Sequence, residues 1–551
     1  MANEIKCEKN TLLKIFESWY RVPDYQRPYV WGSEQVEALL NDTWEACQGK
    51  AESQFFLGSM VLRTISEGEF EILDGQQRLT TIFLMLAIIR DISDDNSLRE
   101  KCRRAVFQEE DKFDEKPACL RITFDIRDNV KNFVENYIKT DGATKNLKNL
   151  EKLAVKMNND VSVRNMSAAI ITANKFLTKL SHNELSEYFS FLWKKVILIC
   201  ISTEKFDDAL QLFTVLNNRG LKLRNSDILK AINLRVIDTS EERDRHSRNW
   251  QTMENYFGDK TDEFLSYVFT VLAKQKSKGT LLKGFEDYIY KNKILEKGSD
   301  TFNYVYGLFE NYVDIFKSDN KDYAVSNYLN LMKNGLQSDY WIAAVLSFYQ
   351  KFGSEKLDKF LKLLDKKVSA DWICSVSPTK RIENIHSIIK EVSSMQSTEM
   401  LFHSKVFEIN LSELNRILNT DIYGKPYDKY LVLKLELLYR GSEVPFQMGQ
   451  KVSIEHILPQ RPAENSEWLK NFSEEDLNEW TDKLGNLVVV TRRKNILLGN
   501  FDYHEKRKSL EKEAEPFSHL YHIYITYSEW TPTELKQNQA EVIAKLLEAY
   551  K

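Results

Sequence analysis

The sequence is poor in the features that would support oxidative cross-linking. Its six cysteines (Cys7, Cys47, Cys102, Cys119, Cys200 and Cys374) are scattered, and no two form a Cys-x-x-Cys pair. This excludes a disulfide framework, argues against a cysteine-held zinc and fits a reducing compartment. Long apolar runs are missing as well. No run of about eighteen apolar residues exists, and the N-terminal "MANEIKCEKNTLL" has no stretch of signal-peptide length. No membrane partner is therefore expected, and the expected location is the cytoplasm. No sign of charge dominates: 77 Lys and Arg stand against 81 Asp and Glu, for a net charge of −4. Contact with nucleic acid would need a local basic surface. Proline is scarce, at ten residues, and no low-complexity stretch, Gly/Ser linker or fixed-length repeat divides the chain.

The 551 residues, 42% hydrophobic and 29% charged, exceed a single ordinary core. They predict a globular chain of roughly two to four domains. The expected fold class is α+β, mostly helical. "FFLGSMVLRTI" (Phe55–Ile65) and "EFEIL" (Glu69–Leu73) read as strands joined by a turn at Glu67-Gly68, and "QQRLTTIFLMLAIIRDI" after them reads as a helix. A helix capped by Ser33 is expected up to Cys47, and "KKVILICIST" (Lys194–Thr203) is expected to be a buried strand. In "DDALQLFTVLNNRGLKLRNSDILKAINL" a Gly220-ended helix is followed by one capped near Ser226-Asp227. From 240 to 400 the period is helical. After 401 come strand-like "KVSIEHI" and "NLVVVT", and then the helix "TELKQNQAEVIAKLLEAY". The expected divisions are 1–238, a helical connecting region 239–400, and 401–551.

Histidine is also scarce, with eight in the chain, yet "SIEHILPQ" (Ser453–Gln460) sets Glu455 beside His456 at the end of an apolar run. Metal-assisted phosphodiester cleavage needs a base near neutral pH, which imidazole supplies, and a hard cation held by oxygen. Neighbours in a strand point to opposite sides, so a bend near Pro459 is needed to bring both groups to one site. "LGNLVVVTRRKN" adds Asn486 before a strand and Asn495 after it, nine residues apart. Strand, loop, strand, helix, with His first and Asn last, is a ββα-metal arrangement. Together these residues resemble the HNH nuclease motif, including the HNH domain of the RNA-guided CRISPR nuclease. The resemblance implies Glu455 and Asn495 as ligands of Mg²⁺ or Mn²⁺, His456 as general base, and Asn486 as the brace of the loop that aims His456. It departs from many HNH motifs in having Glu455 where aspartate is common. From Val490 to Lys512 seven Lys and Arg face three acidic residues. Arg492, Arg493, Lys506 and Arg507 are the candidate DNA-phosphate contacts. His504, His519 and His522 are read as structural or surface residues.

At the other end, "EILDGQQRLTT" (Glu71–Thr81) places a tight Asp74-Gly75 turn before a helix. A helix N-terminus attracts anions, Gly75 permits close approach, and Arg78 offers a bidentate contact. Gln76 and Gln77 offer further polar contacts. Asp-Gly turns are common, so this shape alone favours plain turn chemistry. "YQRPYVW", "FFLGSMVL" and "LDGQQRLTT" together resemble the DUF262 family, the ParB-like domain of GmrS-type proteins. The resemblance implies a nucleoside triphosphate site at Arg27, Asp74, Gly75, Gln76, Gln77 and Arg78. It leaves the roles of Asn217, Asn218 and Arg219 open. Tyr25, Tyr29 and Trp31 are read as core residues.

A DUF262-like front and a DUF1524-like HNH back resemble the fused GmrSD family. What that resemblance implies is a nucleotide-regulated, metal-dependent endonuclease of phage defence, a type IV restriction enzyme cutting modified double-stranded phage DNA. The triphosphate is GTP, UTP, CTP or ATP, and homo-oligomer formation stays open. Two other readings also stay open at this point. One is a nucleotide-switched DNA-binding regulator with an inactive HNH fold, and the other an abortive-infection nuclease acting on host DNA or RNA.

Overall fold

The computed structural model of the chain describes residues 5–551 apart from 24, 27, 50–53, 111–116, 126–127, 157–159, 206–207, 210–211, 213–223, 277–278, 317–321, 442–443, 447–451 and 513–516. Two compact units emerge: residues 1–256 with 297–302, and residues 257–296 with 303–551. Helix dominates both, with one mixed sheet in the first, an α+β composition.

The first unit is organised by six strands: β1 (Lys6–Thr11), β2 (Trp19–Val22), β3 (Phe55–Ser66), β4 (Glu69–Asp74), β5 (Ile122–Phe124) and β6 (Val196–Thr203). Their order is β1-β6-β3-β4-β2-β5. β3 and β4 form the antiparallel pair that "FFLGSMVLRTI" and "EFEIL" announce, and β6 runs parallel to β3 in the interior. β6 is apolar because β1 and β3 flank it on both sides. Three strands carry no sequence signal. β1, "KCEKNT", is a mostly exposed edge, and β2 and β5 are only four and three residues long.

Helix α1 (Ser33–Gln48) is capped one residue earlier than expected. Gly32 is the N-cap, and its N–H donates to Gln35 Oε1 at 2.8 Å. Helix α2 (Gln76–Ile92) is buried on nearly every side, as an all-round apolar sequence requires. It packs with α1, α3 (Val161–Leu177) and α4 (His182–Lys195) in one core that includes Phe83, Leu86, Ile170 and Tyr188. Helix α5 (Asn225–Arg235) is capped at Arg224, not at Ser226-Asp227, and Asp227 accepts the Arg224 N–H at 3.0 Å. The expected Gly220 turn lies outside the described residues.

In the second unit the core centres on α6 (Asp428–Arg440), where Lys434 and Asp365 form an ion pair that is almost completely buried. After it come β7 (Val452–His456) and β8 (Leu487–Thr491), an antiparallel pair, and then α7 (Arg492–Leu498), α8 (Tyr503–Lys512) and α9 (Ser518–Thr526). Helix α10 (Pro532–Ala549) begins with a built start signal. Thr531 caps it, Pro532 opens its first turn, and Glu534 accepts the Thr531 N–H at 2.9 Å. α10 locks the loop before β8: Gln539 Oε1 accepts the Gly485 N–H at 2.5 Å, and Asn538 Nδ2 donates to the Gly485 carbonyl at 2.6 Å. A Cβ at Gly485 would lie 2.6 Å from Gln539 Cα, so only glycine fits there. Among the described residues no helix is long and apolar enough to cross a membrane.

Candidate active site

In the β7–β8 pair His456 lies opposite Leu487 and Glu455 opposite Val488. Alternation sends the two side chains to opposite faces, so the expected bend near Pro459, which lies beyond the strand, does not bring them together; both are buried, Glu455 at 6% exposure and His456 at 9%. Buried ionisable groups need partners. Glu455 Oε1 accepts from Lys506 Nζ at 2.7 Å. The same ammonium donates to the carbonyls of His456 at 2.8 Å and Ile457 at 3.1 Å, so its three protons hold the end of β7. Burial raises the Glu455 carboxyl above its usual range, with Lys506 pulling it down, and burial lowers the Lys506 ammonium.

His456 faces a different partner. Its Nε2 lies 3.1 Å from Asp482 Oδ1, and the Tyr423 ring meets the imidazole edge-on at 4.4 Å between centroids. Burial lowers the His456 pKa, and the Asp482 hydrogen bond works in the opposite direction. Burial thus disfavours the charged imidazole, and the Asp482 contact fixes its ring direction.

The loop after β7 is tied to the loop before β8 by Asn486, which is fully buried. Asn486 Oδ1 accepts the Leu458 N–H at 2.8 Å, and its Nδ2 donates to the Leu458 carbonyl at 2.9 Å and the Thr481 carbonyl at 2.8 Å. Leu458 lies two residues beyond His456, and Thr481 immediately precedes Asp482. One amide thereby sets the spacing between the imidazole and its carboxylate. Asn495, in α7, donates through Nδ2 to Ser453 Oγ at 2.7 Å and to the Ile454 carbonyl at 2.8 Å. It holds the start of β7, and its carbonyl oxygen is the end of the amide not used in those bonds.

The basic stretch divides by burial. Arg492 and Arg493 are exposed and Arg507 is half-buried. Lys506 is no surface cation: its side chain is 0% exposed because it neutralises Glu455. The expectation of a phosphate contact there is corrected on that ground. Lys494 is also turned inward, donating to the Ser509 carbonyl at 2.9 Å. Asp482, Tyr423 and the inward role of Lys506 had no sequence signal, because loop aspartates and lysines in basic runs read as solvated.

In the first unit, Gly75 caps α2 in the left-handed region at φ +94, and a Cβ there would lie 2.6 Å from Met60 Cγ. Gln77 secures the segment before α1. Its Oε1 accepts from Val30 N at 2.8 Å, and its Nε2 donates to the Pro28 carbonyl at 3.1 Å. Arg78 spends its terminal nitrogens on β3, at 3.1 Å from the Leu57 carbonyl and 2.7 Å from that of Ser59, with Asp74 Oδ2 at 3.6 Å. Gln76 Oε1 and Thr80 Oγ1, one helical turn apart, are buried without a hydrogen-bond partner among the described residues. Tyr29 is core, its hydroxyl 2.8 Å from Thr81 Oγ1. Trp31 packs against the same core, and Tyr25 packs against the Val61, Leu73, Ala209 and Ala231 cluster. Arg27, Asn217, Asn218 and Arg219 lie outside the described residues.

Comparison with known proteins matches residues 8–234 to the GmrSD restriction endonuclease N-terminal domain and residues 407–545 to the GmrSD restriction endonuclease C-terminal domain. An uncharacterized protein of Methanocaldococcus jannaschii is 22% identical over 485 residues, covering 78% of this chain and 77% of the relative. Carrying both domains in this order, the chain belongs to the GmrSD restriction endonucleases, type IV restriction nucleases that act on DNA.

Proposed function

We propose that this restriction nuclease cuts foreign, modified double-stranded DNA at an HNH-type site in the second unit, with His456 as general base. Regulation would come from a nucleoside triphosphate bound by a ParB-like first unit. The observation that carries the reading is the imidazole itself. His456 lies against Asp482 at the end of a strand whose following turn is clamped by Asn486. A fixed neutral imidazole suits proton removal from water.

Among the described residues no three His, Cys, Asp or Glu side chains are grouped to hold a metal ion. By donor chemistry, a carboxylate and an amide oxygen suit a hard cation such as Mg²⁺ or Mn²⁺. Magnesium often takes one or two protein oxygens and completes its shell from water and substrate phosphate. Glu455 Oε2 and the Asn495 amide oxygen are the candidate pair, since Lys506 takes Oε1 and the Asn495 nitrogen is spent on β7. When bound, the cation would supply positive charge against the scissile phosphate and the leaving oxygen. His456 takes the proton from the attacking water, and Lys506 and Asn486 hold the backbone around it. Arg492 and Arg507, with Arg493 beside them in the same basic stretch, are the candidate phosphate contacts.

For the nucleotide, the orphaned oxygens of Gln76 and Thr80 support a polar ligand at the start of α2. In this arrangement Arg78 holds β3 in place and does not itself grip phosphate. The test is plasmid and phage-DNA cleavage, modified and unmodified, with Mg²⁺ or Mn²⁺ and each triphosphate. His456→Ala should abolish cutting and leave nucleotide hydrolysis intact. Cleavage by His456→Ala at the wild-type rate would overturn the assignment.

A further inference from the structure

Taking His456 as the base, as proposed above, we infer that Asp482 is its positioning residue. The His456 imidazole lies in a slot that Asp482 builds from two sides. The carboxylate faces Nε2 at 3.1 Å. The backbone carbonyl of the same residue accepts the N–H groups of Ile422 at 2.9 Å and Tyr423 at 3.2 Å. That backbone contact holds the segment whose Tyr423 ring abuts the imidazole. Gln460 Nε2 donates to the same Oδ1 at 3.1 Å, so the carboxylate is itself held from behind.

The consequence is chemical. A carboxylate only accepts hydrogen bonds, so the ring nitrogen facing it carries the proton. The lone pair then lies on Nδ1, at the far edge of the ring, and that nitrogen is the one available to take a proton from water. Without the carboxylate the ring is free to rotate or to change tautomer, and only a fraction of molecules present the correct nitrogen. The same logic orients the histidine of a serine protease triad. The carboxylate side chain is 40% exposed, so Asp482 can be altered without opening a core cavity.

The experiment uses the full chain, with its metal and triphosphate, in a plasmid-cleavage assay. Carboxylate and carbonyl partners that orient metal-bound histidines contribute about 10- to 100-fold, and a base histidine should lose at least as much. Asp482→Asn, which keeps the backbone contacts and the size of the side chain, is expected to lower kcat by about that factor. The KM for DNA should change less than about twofold. Asp482→Glu should recover part of the loss, because it restores an acceptor of the same charge. Wild-type kcat in Asp482→Asn alongside an inactive His456→Ala would overturn this inference and leave the base assignment standing. A rise in KM for DNA as large as the fall in kcat in Asp482→Asn would also overturn it. Activity in His456→Ala itself would sink the underlying reading instead.

Discussion

Removing the Asn486 side chain tests the central geometry most directly. Asn486→Ala deletes the acceptor for the Leu458 N–H and the donor for the Leu458 and Thr481 carbonyls, at 2.8, 2.9 and 2.8 Å. Asn486 and Leu458 are both 0% exposed, so water does not readily replace the lost partners. One orphaned buried donor costs about 1–3 kcal/mol, and the two carbonyls add to it, which makes a local loss of about 3 kcal/mol reasonable. At 1.4 kcal/mol per tenfold, that opens the loop about 100-fold more often. Hydrogen exchange followed by mass spectrometry should show peptides covering 452–460 and 481–487 exchanging faster by about that factor, with the first unit unchanged. DNA cleavage should fall with it, because the spacing between His456 and Asp482 is set by this amide. Asn486→Asp keeps an acceptor for Leu458 but turns an oxygen toward two carbonyls, so it should be no better than alanine. Exchange within threefold of wild type in Asn486→Ala would refute the view that this side chain holds the two loops together.

Three other perturbations follow from buried contacts. Lys506→Met strands the Glu455 carboxylate in the interior and should cost about 3–5 kcal/mol in urea unfolding of the second unit; adding Glu455→Gln should return part of it. Gly58→Ala puts a methyl group 1.7 Å from Arg78 Nη1 at a residue with φ +125. It should lower the thermal midpoint clearly, and combining it with Arg78→Ala should cost less than the two losses added together. His519 is buried against Tyr439 with both ring nitrogens unpartnered among the described residues, and burial lowers its pKa from 6.5 to about 3. Below pH 6.5 the unfolded chain takes up a proton that the folded chain refuses. Stability is therefore full above that pH and falls by about 1.4 kcal/mol per unit toward pH 3, or about 2 kcal/mol by pH 5. Denaturation midpoints at pH 7.5 and pH 5 should differ less in His519→Phe than in wild type.

The strand pair that carries the second unit's candidate site was legible in sequence because its backbone is regular. "SIEHI" and "NLVVVT" carry the apolar character of strands, and both fall within one or two residues of β7 and β8. The partners of the site residues were not legible, because they arise from tertiary contact. Nothing in "EWTDKLGN" marks Asp482 as facing an imidazole 26 residues earlier. In "YHEKRKSLEK" the buried lysine looks like its exposed neighbours. In the first unit, Gly75 and Arg78 stood out, but their contacts are to Met60 and to β3 carbonyls, which no side-chain pattern encodes. The edge strand β1 was missed because a mostly exposed edge needs no apolar residues.

The grip of Gln539 and Asn538 on Gly485 has a bearing on the order in which the protein is made. The ribosome delivers the loop containing Gly485 and Asn486 well before Pro532–Ala549, the helix that fastens it. At roughly 5–20 residues per second, that helix is finished several seconds later. A nascent polypeptide that already carries β7 and β8 therefore still lacks the clasp on the loop between them. The final geometry of that loop thus waits on a helix synthesised several seconds after it.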